Sequence, residues 1–191
     1  MILPIVAYGD PVLKKEATPV ERDHPGLKEL INNMFDTMYN AQGVGLAAPQ
    51  VGSGLRVFIV DASPFKQEDK RLEGFKKVFI NPVIVEETGK EWLFNEGCLS
   101  FPKLREDIWR KPSIKIKYYD EDFNLHEEKY DGIAARIIQH EYDHIKGIVF
   151  IDHITPFKRR IIKSKLNAIS KGLVNADYKM KVPVKKQKTV G

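Results

Sequence analysis

The sequence predicts an α+β fold in which mainly antiparallel sheets pack around one buried helix, with an amphipathic helix near the C-terminus. Three observations carry this expectation. Runs rich in β-branched and aromatic residues at 56–61, 77–81, 82–85, 113–119 and 125–130 are separated by turns or polar excursions rather than by helices. An amphipathic helical pattern precedes all of them, and two more follow the last. No strand–helix–strand rhythm appears, so a parallel doubly wound sheet is excluded. A chain of 191 residues is long enough for one core and short for two, which gives one domain over 1–172 and a tail over 173–191.

Residues 1–22 hold Pro4, Gly9-Asp10-Pro11 and Pro19 and read as an extended, turn-rich arm. Asp23-His24-Pro25 then opens a helix whose Leu27, Leu30, Ile31, Met34, Phe35 and Met38 share one face and which runs to Gln42. That stripe is read as packing. Next comes Gly43-Val44-Gly45-Leu46-Ala47-Ala48-Pro49-Gln50, superficially a dinucleotide fingerprint. Such a fingerprint needs a strand before it and a helix after it, whereas here a helix precedes and Pro49 interrupts. The segment is either a tight helix-to-strand turn or a place where backbone approaches a ligand, with the Gln50 amide as donor.

Strand 77–81 continues through Pro82 to Val85, and the proline implies an edge or a bulge. Residues 62–76 form a polar surface excursion. After strand 113–119, the turn at 120–124 sends the chain back along 125–130. A helix begins at Asp131-Gly132 as N-cap, carries Ile133, Ile137, His140 and His144 on one face, and stops at Gly147. Thr155-Pro156 starts the last helix, with Phe157, Ile161, Ile162, Leu166 and Ile169 as its apolar stripe and Gly172 as its end. From Lys179 onward there is little to bury and mobility is expected.

Composition narrows the class. With 42% apolar and 30% charged residues the chain is an ordinary soluble globular protein. Its longest apolar runs, such as 148–151, are too short to cross a bilayer, and Met1-Ile2-Leu3-Pro4 has no signal-peptide character. A cytoplasmic location is expected, with no membrane or DNA partner. The single cysteine, Cys98, forms no internal disulfide, and its usual fate is inert packing. Residues 155–191 hold 11 of the 31 basic side chains and one of the 26 acidic ones, so this end carries +10 and the rest of the chain −5. A polyanion for the basic end and a solvated helix with a loose tail are equally compatible with that asymmetry.

The chemistry is carried by His140-Glu141-Tyr142-Asp143-His144, an H-E-x-x-H pattern. At i and i+4 on a helix both imidazoles reach one cation, while Glu141, rotated by about 100°, stands beside it as a general base. A catalytic site needs a third protein ligand. The peptidase variant would place a histidine at position 150, which is Phe150, and no glutamate follows Glu141. Asp152 and His153 remain open downstream but nothing marks them, so the remaining ligand is sought upstream, in Glu96-Gly97-Cys98-Leu99-Ser100, where a nearby cation would ionise the thiol.

Together, residues 43–50, 96–100 and 139–144 resemble, in order and spacing, the three signature motifs of peptide deformylase, a resemblance that covers about residues 3–170. It implies that Cys98, His140 and His144 hold one divalent metal, Fe²⁺ in the family, with Zn²⁺, Ni²⁺ or Co²⁺ able to replace it in a purified sample. It implies that Glu141 moves the protons of hydrolysis, that Gln50 and the Leu99 N–H hold the oxyanion, and that formate is released from N-formylmethionyl nascent peptides. Glu96 and Arg110 match an ion pair that steadies the cysteine loop, and Arg105 matches a contact to substrate main chain. For the methionine pocket, helical spacing puts Ile133 and Ile137 on the face of His140, and Val44 and Phe94 border the other motifs, with Gly45 beside the substrate; Arg136 departs from the apolar residue more usual in the family at its position. The basic end makes the ribosome a candidate partner. Two other readings share these features: a zinc peptidase, which lacks its usual third ligand, and an RNA-binding protein with a structural metal.

Overall fold

The computed structural model describes residues 1–183. Chain order is β1 (Ile5–Val6), α1 (Leu27–Asn40), β2 (Gly45–Ala47), β3 (Val57–Asp61), β4 (Lys76–Thr88), β5 (Trp92–Gly97), β6 (Arg105–Arg110), β7 (Ser113–Tyr119), β8 (Leu125–Asp131), α2 (Gly132–Ile145), α3 (Pro156–Ile161), α4 (Lys163–Ser170) and β9 (Met180–Lys181). Strands β2, β3, β4, β7 and β8 form an antiparallel sheet in that spatial order, and β5 pairs with β6 as an antiparallel hairpin. The α+β class holds.

At β3 the sheet is apolar on both faces, because each face there has a helix to cover. In β3, Phe58 and Val60 point into a cluster with Ala134, Ala135, Ile138 and Ile145 of α2. Their neighbours Val57 and Ile59 point the other way, among Leu27, Ile31, Met34, Phe35 and Met38 of α1. The period-2 alternation of a strand thus feeds two cores, and each fully buried large side chain contributes roughly 1.5–3 kcal/mol. A third cluster joins Val6, Leu13, Phe101, Ile108, Phe150, Leu166 and Ile169 beneath the hairpin and the C-terminal helices.

Several elements differ from the sequence expectation. Helix α1 begins at Leu27 because Gly26, at φ 77°, holds a left-handed turn that Asp23-His24-Pro25 only lead into. It ends at Asn40: Gln42 takes φ 54°, and bonds from Gln42 N to Tyr39 O and from Gly43 N to Met38 O close a Schellman motif. Pro82, by contrast, meets one of its two expected settings: it lies at a bulge, in the central strand β4, where the register steps from Ile80↔Tyr119 to Val83↔Lys117. Asn81 takes φ 51° there, and its amide bonds both Val20 N and Val20 O at 2.8 Å. The excursion after β3 is only partly superficial, since Ala62 and Leu72 are buried.

Asp131 is the N-cap residue of α2, yet its carboxylate accepts from Arg71 rather than from the helix. The last helix is broken at Ile162 into α3 and α4, which rotates the first turn and a half away from the core. Phe157 and Ile161 are therefore 71% and 66% exposed, while Ile162, Leu166 and Ile169 are buried as expected. Nor does the chain lack a partner after Lys179: Met180 and Lys181 pair in parallel with Ile5 and Val6, giving an otherwise unpaired N-terminal strand its ladder. Residues 184–191 of the expected mobile tail lie outside the described residues. No helix among those described is long and apolar enough to cross a membrane.

Candidate metal centre and active site

Helix α2 lies beneath the sheet with Ala134, Ala135, Ile138 and Ile145 packed inward, so the face carrying Ile133, Ile137, His140 and Glu141 turns towards an open cavity of about 510 Å³. It terminates as its sequence implies. Gly147 sits at φ 71°, Gly147 N donates to His144 O and Ile148 N to Asp143 O, so the helix stops at Ile145, one residue after its second histidine. Lys14 O lies 2.8 Å from where a Cβ on Gly147 would be, so the N-terminal arm also packs on this stop.

Three ligand-type atoms converge here. The Cys98 thiol, His140 and His144 present Sγ and ring nitrogens that all lie within 4.8 Å of one another, with Cys98 Sγ 3.2 Å from His144 Nε2. The imidazole rings meet at 75° with centroids 5.2 Å apart. Cys98 reaches them from the end of β5, through a turn closed by Phe101 N donating to Cys98 O at 2.9 Å. His140 Nδ1 is bonded to Glu96 Oε2 at 2.8 Å, which leaves Nε2 for a ligand. Burial, and then the neighbouring His140, push His144 down to about 3, so its imidazole is neutral, the form that ligates. One thiolate and two imidazoles fit a divalent transition metal.

The supporting shell is anionic at its centre and cationic around it. Glu96, 4% exposed, receives Arg110 Nε and Nη2 at 2.8 and 3.1 Å, Arg136 Nη1 at 2.9 Å and the His140 ring. Burial alone would raise its carboxyl, but bonds from His140 and Arg110 outweigh this and hold it well below the usual carboxylate range. Arg110 also donates to Asp143, which accepts from His153 in turn. The β5–β6 pairing, Glu96↔Glu106 with Trp92↔Arg110, puts Glu96 and Arg110 on one face of the hairpin four residues out of step, a gap the long arginine side chain spans.

Glu141 is 4% exposed, and its Oε2 has no hydrogen-bond partner among the described residues. Burial pushes its carboxyl up to about 7, so near neutral pH it both accepts and releases a proton. Its place depends on Gly45: a Cβ there would lie 2.4 Å from Glu141 Oε1. The segment also makes the turn from α1 into β2, the first of the two readings left open for residues 43–50, and the close approach at Gly45 is to the Glu141 side chain. Gln50, 2% exposed, has its Oε1 taken by Ala47 N at 2.9 Å. That contact turns Nε2 towards Cys98 Sγ at 3.4 Å and Ser100 Oγ at 3.3 Å.

Val44, Gly45, Gln50, Phe94, Glu96, Cys98, Leu99, Arg105, Ile133, Ile137, His140 and Glu141 all line the one cavity. Two named residues stand behind it: His144, fully buried under the other ligands, and Arg110, reaching the site through Glu96. Arg105 is engaged across the hairpin, with Nε on Asn95 Oδ1 at 2.7 Å and Nη2 on Asn95 O at 2.5 Å. Sequence reasoning missed Phe65 and Tyr178, and it marked Arg136 only as a departure at the pocket, without a role. Arg136, 2% exposed, lines the cavity, bonds Glu96, Ile108 O and Trp92 O, and stacks 4.7 Å from the Trp92 ring. Its signal was a charge four residues before His140 on the same face. Phe65, from the excursion after β3, and Tyr178, from the C-terminal segment, are set in the wall by tertiary contacts that no local pattern announces.

Comparison with known proteins agrees with this geometry. The family model described as polypeptide deformylase matches residues 2–160. Peptide deformylase from Christiangramia forsetii is 60% identical over 190 residues, covering 96% of this chain and 97% of that protein. The one from Flavobacterium psychrophilum is 56% identical over 194 residues, covering 98% and 100%. Among solved structures, Plasmodium falciparum peptide deformylase in complex with inhibitor superposes with TM-score 0.76 at 35% identity, covering 87% of this chain and 99% of that one. Thermotoga maritima peptide deformylase gives 0.74 at 41% identity, covering 82% and 99%. With its motifs converging in one cavity and its length matched almost end to end, this chain belongs to the polypeptide deformylase family.

Proposed function

We propose that this deformylase removes the formyl group from N-formylmethionyl chains with Cys98, His140 and His144 holding Fe²⁺, and with Glu141, Gln50 and Leu99 acting on the substrate. The observation that carries the reading is the convergence of one sulfur and two imidazoles within 4.8 Å beside a carboxyl that burial holds near 7. A bound divalent ion would supply Lewis acidity towards water and the formyl carbonyl. The chain's own residues do the rest. Glu141 takes a proton from the attacking water as its oxygen bonds to the formyl carbon. The Gln50 Nε2–H and the Leu99 N–H, which donates to no protein acceptor among the described residues, face the oxyanion that develops. The carbon–nitrogen bond then breaks, the electron pair goes to the amine nitrogen, and Glu141 delivers its proton there, releasing formate and a free amino terminus.

Val44, Phe94, Ile133 and Ile137 give the cavity apolar walls that suit a methionine side chain, with Gly45 alongside. For Arg105 to reach substrate main chain it gives up a bond to Asn95. Zn²⁺ binds such donor sets more tightly than Fe²⁺, so Zn²⁺, Ni²⁺ or Co²⁺ in a purified sample would reflect availability. The test is an anaerobic assay. Iron-loaded protein is expected to release formate from a formyl-Met peptide without cutting the chain; chain cleavage would favour the peptidase reading.

Action in the cytoplasm, on chains leaving the ribosome, is supported by the +10 charge of residues 155–191. Lys158, Arg160, Lys163 and Lys171 are exposed on and just after α3 and α4. Changing all four to Gln is expected to weaken ribosome co-sedimentation and flatten its salt dependence, with turnover of free peptide unchanged. Unaltered binding would remove this surface from consideration.

A further inference from the structure

The chain beyond Gly172 returns across the molecule as a packed strap. Met180 and Lys181 pair with β1, and Val174 and Met180 lie half-buried against the cluster of Val6, Phe101, Phe150 and Leu166. The fit is close at both ends. A Cβ on Gly172 would lie 2.8 Å from Val182, and one on Gly9 would lie 2.9 Å from Ser170 and 3.4 Å from Pro183. Between these anchors the strap sets Tyr178 in the cavity wall, its hydroxyl donating to Leu99 O at 2.8 Å. The family match ends at residue 160, so this contact comes from chain outside it.

We propose that Tyr178 is a positioning residue for deformylation, its hydroxyl clamping the Leu99 carbonyl so that the Cys98–Phe101 turn presents the Leu99 N–H to the formyl oxygen. The proposal rests on the oxyanion role given to that N–H above. Each carbonyl of the turn has one holder. Cys98 O accepts from Phe101 N at 2.9 Å, Ser100 O from Tyr8 N at 2.9 Å, and Leu99 O from Tyr178. The first is internal to the turn and the second belongs to the N-terminal arm. Tyr178 alone holds the middle peptide. The Leu99 side chain packs closely on Gly43, its Cδ1 lying 2.8 Å from where a Cβ on that glycine would be. An oxyanion donor acts only if it is in place before the charge develops, so a tether on the adjoining peptide plane, which shares the Leu99 Cα with the donor, affects the barrier more than substrate affinity.

The test is Tyr178→Phe in the full-length, metal-loaded enzyme, which keeps the ring in the wall and removes only the hydroxyl. The expected result is a fall in kcat of about tenfold on a formyl-Met peptide with KM changed by less than about twofold. Hydrogen exchange of the Phe101 amide, which closes the turn, is expected to speed up by about tenfold. Melting temperature and metal stoichiometry are expected to stay at wild-type values. Unchanged kcat overturns the proposal, and exchange then shows where it failed. Faster exchange would place the fault in the oxyanion role of Leu99, and unaltered exchange in the clamp itself. Lower kcat with unaltered exchange, or loss of metal, would also overturn it, the latter by showing that the hydroxyl secures Cys98.

Discussion

Replacing Glu141 with glutamine is expected to lower turnover by about 10²–10⁴-fold while fold and metal content stay intact. The side chain is enclosed between α2 and the backbone of Gly45, so the substitute must match its shape, and glutamine does. What glutamine lacks is basicity. Oε2 has no protein partner, and burial pushes the carboxyl up to about 7, which leaves it poised to exchange protons with substrate. A neutral amide there avoids the cost of burying a charge, so the melting temperature is not expected to fall. Metal analysis alongside steady-state formate release checks the prediction. Wild-type turnover by a fully loaded variant would mean that another group moves the proton.

A second large effect is expected from Cys98→Ala: loss of tightly bound metal, with affinity reduced by more than about 100-fold. Removing a group that merely orients a ligand already costs 10–100-fold, and this change removes a ligand. The remaining imidazoles are both on α2, on one side of the ion, whereas Sγ comes from the hairpin turn and lies 3.2 Å from His144 Nε2. Dialysis against a weak chelator followed by elemental analysis measures the loss. Stoichiometric retention would show that the third ligand is another residue. Glu96 and its ion pairs with Arg110 and Arg136 do not touch Sγ, so circular dichroism is expected to report a folded variant.

Particular residues show why some of this was legible in the chain and some was not. The α2 histidines could be read because helical periodicity is local: four residues of sequence put two side chains on one face. Its Gly147 stop could be read for the same reason, since a residue at φ 71° favours glycine. The break at Ile162 could not. Phe157 and Ile161 continue the apolar pattern of Leu166 and Ile169, and only the packing of α4 against Leu13 and Phe150 shows that the core has room for one of the two segments. Arg136 could be read only as a departure, because an arginine near an apolar stripe looks like a misfit until Glu96 arrives from 40 residues away to pair with it. Likewise, Tyr178 gains meaning only through Leu99, 79 residues upstream.

By itself the sequence determined the α+β class, the family resemblance, the pair of imidazoles with a carboxyl beside them, and the identity of the sulfur as the remaining candidate. These follow from short-range spacing and residue chemistry, which survive without knowledge of what lies opposite. Tertiary structure alone decided the charge balance around Glu96, the room for Glu141 opened by the missing Cβ of Gly45, and the returning strap that grips the Leu99 carbonyl. The physical reason is range. A hydrogen bond or steric contact acts over about 3 Å of space whatever the separation along the chain, and the order of residues does not encode that distance until the core has closed.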